Sequence, residues 1–118
     1  MRLYLTPMDV GDVTIIEAAG RITLGENVEI FRDQVHQLVA KGRRKILMNL
    51  AEVTYIDSSG IGEMVSAYTT LSNLGGTVKL LKLTRRVRDL LQITKLYTVF
   101  EVFEDEAEAV RSFALLGR

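Results

Sequence analysis

Apolar and polar positions change period several times along the chain. Leu3 and Leu5 alternate with Arg2, Tyr4 and Thr6, Asp9-Val10-Gly11-Asp12 supplies a turn, and Val13-Thr14-Ile15-Ile16 follows, so the opening reads as a hairpin. From Glu26 to Ala40 the apolar set Val28, Phe31, Val35, Leu38 and Val39 marks one face of a helix closed by Lys41-Gly42. Ile46–Leu50 is a short, nearly unbroken apolar run, as expected of a strand covered on both faces. A second helix is predicted from about Ser58 to Leu74, with Ile61, Met64, Val65, Tyr68 and Leu71 inward and Gly75-Gly76 at its end. Val78–Leu83 is the next strand, and Thr84 suits the N-cap of a short helix carrying Val87, Leu90 and Leu91. Thr98–Phe103 is a last strand. A final helix starts among Glu104, Asp105 and Glu106, with Ala107, Val110 and Ala114 as its inner face.

The order ββαβαβαβα predicts an α/β fold, with a mixed, mostly parallel sheet and helices packed on it. With short loops and no repeat or linker, one domain over residues 1–118 is expected. Composition then removes whole classes of chemistry. There is no cysteine, so thiolate metal sites and cysteine nucleophiles are out, and the single histidine excludes two-histidine metal sites. Fifteen basic and fifteen acidic residues cancel, which argues against capture of duplex nucleic acid by bulk charge. No apolar run reaches the ~18 residues of a membrane span, and Met1–Val10 lacks a signal peptide's apolar core, so a cytoplasmic location is expected. Gly60-Ile61-Gly62 lacks the third glycine of a dinucleotide fingerprint and the lysine of a P-loop, and no cofactor or metal is expected.

One segment is not generic. Residues 50–62, ending Tyr55-Ile56-Asp57-Ser58-Ser59-Gly60-Ile61-Gly62, join the central strand to the second helix at the carboxyl end of the sheet, where ligands and partners of α/β folds meet them. Asp57 or Ser58 at the helix start reads plainly as an N-cap. That reading leaves two glycines in the first helical turns unexplained, each costing up to ~1 kcal/mol relative to alanine. Their missing side chains let another surface approach the backbone.

This octapeptide closely resembles the D-S-[ST]-G-[LI]-G signature of bacterial anti-sigma factor antagonists, the STAS domain. The resemblance runs through the hairpin ending at Gly20, Asn49-Leu50, the Gly75-Gly76 helix end and the closing strand and helix. It implies a STAS fold and a regulator that is not an enzyme. It further implies that Ser58 accepts phosphate from a partner anti-sigma factor that is a serine kinase. Unphosphorylated antagonist binds that kinase, phosphorylated antagonist lets go, and a serine phosphatase resets it. The implied binding face is the loop Tyr55–Gly62, the start of the second helix through Glu63 and Ser66, and the Gly20–Gly25 loop, with Thr23, Asp57, Ser58, Ser59, Gly60, Ile61, Gly62, Glu63 and Ser66 as its binding residues. A monomer or weak dimer is expected, and a scaffold subunit of a stress-sensing assembly is the alternative.

The chain departs from the pattern at Gly20-Arg21-Ile22-Thr23, where many antagonists place an aspartate at the position of Thr23. A serine-dependent hydrolase is the remote alternative. It would need His36 within reach of Ser58, and Asp57-Ser58-Ser59-Gly60 is not the G-x-S-x-G elbow. Lys79, Lys82, Arg85, Arg86 and Arg88 read as a solvated basic stretch, or else as a surface for an acidic partner. Ile30 is expected to be exposed, on the far side of the first helix from Val28 and Val35.

Overall fold

The structure, a computed structural model, describes residues 2–115. Among these, five strands and four α-helices alternate as the periodicity predicts: β1 (Tyr4–Val10), β2 (Val13–Ile22), α1 (Glu26–Ala40), β3 (Lys45–Ile56), α2 (Ser58–Asn73), β4 (Thr77–Leu81), α3 (Arg85–Ile93), β5 (Val102–Phe103) and α4 (Glu106–Ser112). The sheet order is β1-β2-β3-β4-β5, with β1 antiparallel to β2 and every other pair parallel. The main core holds Phe31, Val35 and Leu38 of α1, Met64, Ala67 and Leu71 of α2, and Val87 and Leu91 of α3 together with inward strand residues. A smaller core on the opposite face brings Ala109 and Phe113 onto Val13, Ile15, Leu47 and Leu81.

Four expectations need correction. β3 does not stop at Leu50 but runs to Ile56, because two bulges interrupt its alternation. The register passes from Glu17↔Asn49 to Ala19↔Glu52, then from Gly20↔Val53 to Arg21↔Tyr55. Asn49 Oδ1 accepts the Ala51 N–H at 3.1 Å and Thr54 Oγ1 donates to the Gly20 carbonyl at 3.3 Å, which anchors both irregularities. The segment from Thr98 is not one strand. A 3-10 turn covers Leu96–Thr98, and only Val102–Phe103 pairs with β4. Lys95 enters that turn at φ 60°, and Phe100 is buried edge-on to Tyr68 at 5.4 Å, so the apolar residues there fill the core as a turn.

β4 ends at Leu81, since Lys82 adopts φ 57°, outside strand geometry. α4 turns a different face inward. Asp105 caps it by accepting the Glu108 N–H at 2.8 Å, and Ala109, Val110 and Phe113 pack on the sheet while Ala107 and Ala114 are exposed. Both triplets have helical spacing, and the larger apolar area of Phe113 decides between them.

Two single residues also differ from expectation. Ile30 is half-buried against the core that holds Leu3 and Leu5. Lys79 is buried, its Nζ donating to Ser112 Oγ at 2.8 Å, 3.5 Å from Glu101 and 4.7 Å from the Phe113 ring centroid. It leaves the solvated basic stretch and holds α4 to the sheet instead.

Candidate functional site

The carboxyl ends of β2 and β3 meet at Asp57. This residue lies between β3 and α2 with an extended backbone, and its Oδ1 accepts the Gly60 N–H at 2.9 Å, which makes it the α2 N-cap. Its other oxygen, Oδ2, accepts the Leu24 N–H at 2.9 Å, and its own N–H donates to the Ile22 carbonyl at 3.3 Å. One side chain therefore binds the 20–25 loop to the start of α2. Backbone N–H groups of Leu24, then Gly60 and Ser59, hold its carboxyl below the ordinary carboxylate range, so it is an anion at neutral pH.

The two glycines of the motif have different environments. A Cβ on Gly60 would stand 2.0 Å from the Ile22 carbonyl oxygen and 2.8 Å from Ile56 Cγ2, so only glycine lets α2 start this close to β2. A Cβ on Gly62 would meet nothing within 4 Å. Nothing inside the fold requires glycine there, yet it sits in a helix and is exposed.

Ser58, Gly62 and Ser66 recur every four residues and are all exposed, so they form one stripe along α2. The Ser58 hydroxyl has no hydrogen-bond partner among the described residues. Leu24, 76% exposed, adds an apolar side chain to the loop that Asp57 holds.

The remaining predicted residues divide into support and surface. Ser59 and Ile61 are half-buried, Ile61 packs on the main core, and Thr23 accepts the Val28 N–H at 3.1 Å where α1 begins. Glu63 is engaged within the molecule, taking both Arg32 Nε at 3.2 Å and Nη2 at 2.7 Å and so clamping α1 to α2. His36 is exposed on α1, and among the described residues no hydrogen bond links it to Ser58. Leu24 and Tyr55 fall inside the loops expected to bind, but two features of them were not singled out from the sequence. Leu24 is a lone apolar residue outside any periodic run, and Tyr55 has the guanidinium carbons of Arg21 and Arg86 5.2 and 5.5 Å from its ring centroid. The first was visible as an unpaired leucine in a polar loop. The second depends on β2, β3 and α3 converging.

Among the described residues no helix is long and apolar enough to cross a membrane. A Thermotoga neapolitana protein named as a candidate anti-sigma factor antagonist is 31% identical over 102 residues, spanning 86% of this chain and 89% of the relative. The crystal structure of a candidate anti-sigma factor antagonist from Thermotoga maritima superposes with a TM-score of 0.87 at 26% identity, covering 93% of this chain and 94% of that one. Bacillus SpoIIAA, an anti-sigma factor antagonist solved in unphosphorylated and phosphorylated forms, shares the fold at TM-scores of 0.71 and 0.73 and identities of 21% and 22%; the matches cover 95% and 92% of this chain and 99% and 98% of SpoIIAA. Anti-sigma factor antagonists are regulators rather than enzymes. The STAS domain family model matches residues 6–109, which takes in the sheet apart from the first two residues of β1 and has the Asp57 junction at its centre, and the chain belongs to that family.

Proposed function

We propose that this protein is an anti-sigma factor antagonist that binds an anti-sigma factor serine kinase when unphosphorylated and is released by phosphorylation at Ser58. The observation that carries the reading is the stripe itself: an exposed serine hydroxyl opens α2, followed at four-residue spacing by Gly62 and Ser66, with no internal role for the glycine. Small residues let a partner backbone come close to α2, and exposure leaves the Ser58 oxygen open to a kinase. The names of the relatives support the class of partner. A phosphate on Ser58 adds ~1.5–2 negative charges beside the anionic Asp57, and a docked partner would have to desolvate them. A serine phosphatase restores the binding form.

The reading is tested with the cognate anti-sigma factor kinase and ATP. Wild type is expected to gain one phosphate and lose affinity. Ser58→Ala is expected to bind without being labelled, and Ser58→Asp to fold normally and bind poorly. Labelling of Ser58→Ala to the wild-type level would sink the assignment.

A further inference from the structure

A second surface lies at the end of β3, on the strand that leads into Ser58. Tyr55, three residues before Ser58, forms an open groove of about 500 Å³ together with Arg85, Arg86, Leu90 and Ile93 of α3. Ile93 is 80% exposed, the most exposed of the large apolar side chains among the described residues. Arg2, Arg32, Arg43 and Arg88 each reach a carboxylate, whereas Arg21, Arg85 and Arg86 have no carboxylate partner among the described residues. One acid, Asp89, lines the groove. Arg85 and Arg86 against Asp89 leave a local excess of one positive charge in the lining, on a chain whose formal net charge is zero, and Arg21 stands beside Tyr55 at its edge.

We infer that this groove docks an acidic segment of the partner protein, with carboxylates on the arginines and one apolar side chain on Tyr55, Leu90 and Ile93. The inference rests on the proposed function, since it assigns the groove to the same kinase that covers Ser58. Guanidinium groups stacked on a tyrosine keep their N–H edges free for bidentate carboxylate contacts, so the site offers directional donors and not charge alone. A small inorganic anion would satisfy the arginines but leave Ile93 and Leu90 in water. Single-stranded nucleic acid needs successive aromatic platforms, and this groove has one. Binding energy at interfaces concentrates on tyrosine, arginine and tryptophan, and the serine and glycine stripe supplies none of these. The groove thus provides affinity while Ser58 provides the switch.

The test is calorimetric titration of the cognate kinase into the full chain at low and high salt. Arg85→Glu/Arg86→Glu and Ile93→Asp are compared with Ser58→Asp, and circular dichroism confirms that each variant is folded. Ile93 is exposed, so Ile93→Asp leaves the core intact. Both groove variants are expected to weaken binding by about tenfold or more, and the double charge reversal to flatten the salt dependence. A photo-reactive benzoylphenylalanine replacing Ile93 is expected to crosslink to an Asp/Glu-rich stretch of the kinase. Wild-type affinity in both groove variants while Ser58→Asp has lost binding would overturn this inference alone. Undiminished binding by Ser58→Asp, or none by wild type, would remove the proposed function and this inference with it. A crosslink to a segment without acidic residues, or its suppression by millimolar inorganic phosphate or by a single-stranded oligonucleotide, would also overturn the acidic-segment assignment.

Discussion

Gly60 and Gly62 belong to one motif and one helix, and the structure predicts opposite consequences for replacing them by alanine. At Gly60 the new Cβ would lie 2.0 Å from the Ile22 carbonyl oxygen, so α2 must retreat from β2 by at least about 1 Å to reach a tolerable contact. Overpacking of this kind costs ~1–3 kcal/mol. The same retreat pulls on the Asp57 N–H to Ile22 bond at 3.3 Å and the Leu24 N–H to Asp57 bond at 2.9 Å, each worth ~1 kcal/mol. Alanine returns ~1 kcal/mol of helix propensity. The net expectation is a loss of ~2–4 kcal/mol, or a fall of ~8–16 °C in melting temperature for a domain of this size. At Gly62 the clash is absent and only the propensity gain survives, so Gly62→Ala should melt ~2–4 °C higher than wild type. Under the proposed function it should also bind the kinase more weakly, because the methyl stands between two exposed serines where the partner docks. Urea and thermal unfolding of both variants decide the matter. A Gly60→Ala variant as stable as wild type, or a destabilised Gly62→Ala, would refute the division of the motif into one structural and one surface glycine.

Three further outcomes are expected. Asp57→Asn keeps an acceptor for the α2 cap but can turn an amide N–H toward the Leu24 N–H, so it should cost ~1–3 kcal/mol by urea unfolding at neutral pH. The Asp57 carboxyl is depressed in the fold, so its contribution is present above the unfolded carboxyl pKa and lost as pH falls through the folded one. The gap between wild type and Asp57→Asn should therefore be flat near neutrality and close below about pH 4. Lys79→Met should stay within ~1 kcal/mol of wild type, because the Ser112 hydroxyl still donates to the Ala109 carbonyl at 2.6 Å and Glu101 is exposed; Lys79→Ala should lose ~2–4 kcal/mol by opening a cavity under α4, as read by urea unfolding.

The element order was legible because each helix carries its own apolar stripe and its own stop. Gly75-Gly76 and the Thr84 cap stand where the polar pattern places them, with Thr84 Oγ1 accepting the Val87 N–H at 3.4 Å. The second half of β3 was not legible, since each bulge shifts the alternation by one residue and leaves Val53-Thr54-Tyr55-Ile56 without a clean period. The turn before β5 was hidden for the opposite reason: Val99 and Phe100 look like a strand but are drawn into the core by α2 and α3. At the site, the Asp57-to-Gly62 motif was readable from residue types alone. What the spacing could not reveal was which glycine is squeezed, that Glu63 is already bound by Arg32, or that Tyr55 lies among unpaired arginines. Those are facts about neighbours from other elements, and no local window contains them.

The capping geometry also bears on how a charge at Ser58 would act. A helix N-terminus usually welcomes a phosphate because its amides lack partners. Here Asp57 has used part of them: its Oδ1 takes the Gly60 N–H at 2.9 Å and the Ser59 N–H also contributes to its low pKa, while the Ile61 N–H makes the first regular helix bond to the Asp57 main-chain carbonyl. A phosphate on exposed Ser58 would find the Ser59 and Gly60 amides already turned to Asp57, and the adjacent carboxylate would push it outward into water. The fold then gains nothing from the modification and loses little, so phosphorylated and unphosphorylated protein should melt within ~2 °C of one another, matching a change of about 0.5 kcal/mol. The whole effect of the charge falls on the partner, which must either desolvate it or leave. A phosphorylated form that melts far above the unmodified one would mean that α2 captures the phosphate. The release step would then run through rearrangement of the Asp57 cap instead of repulsion at the interface.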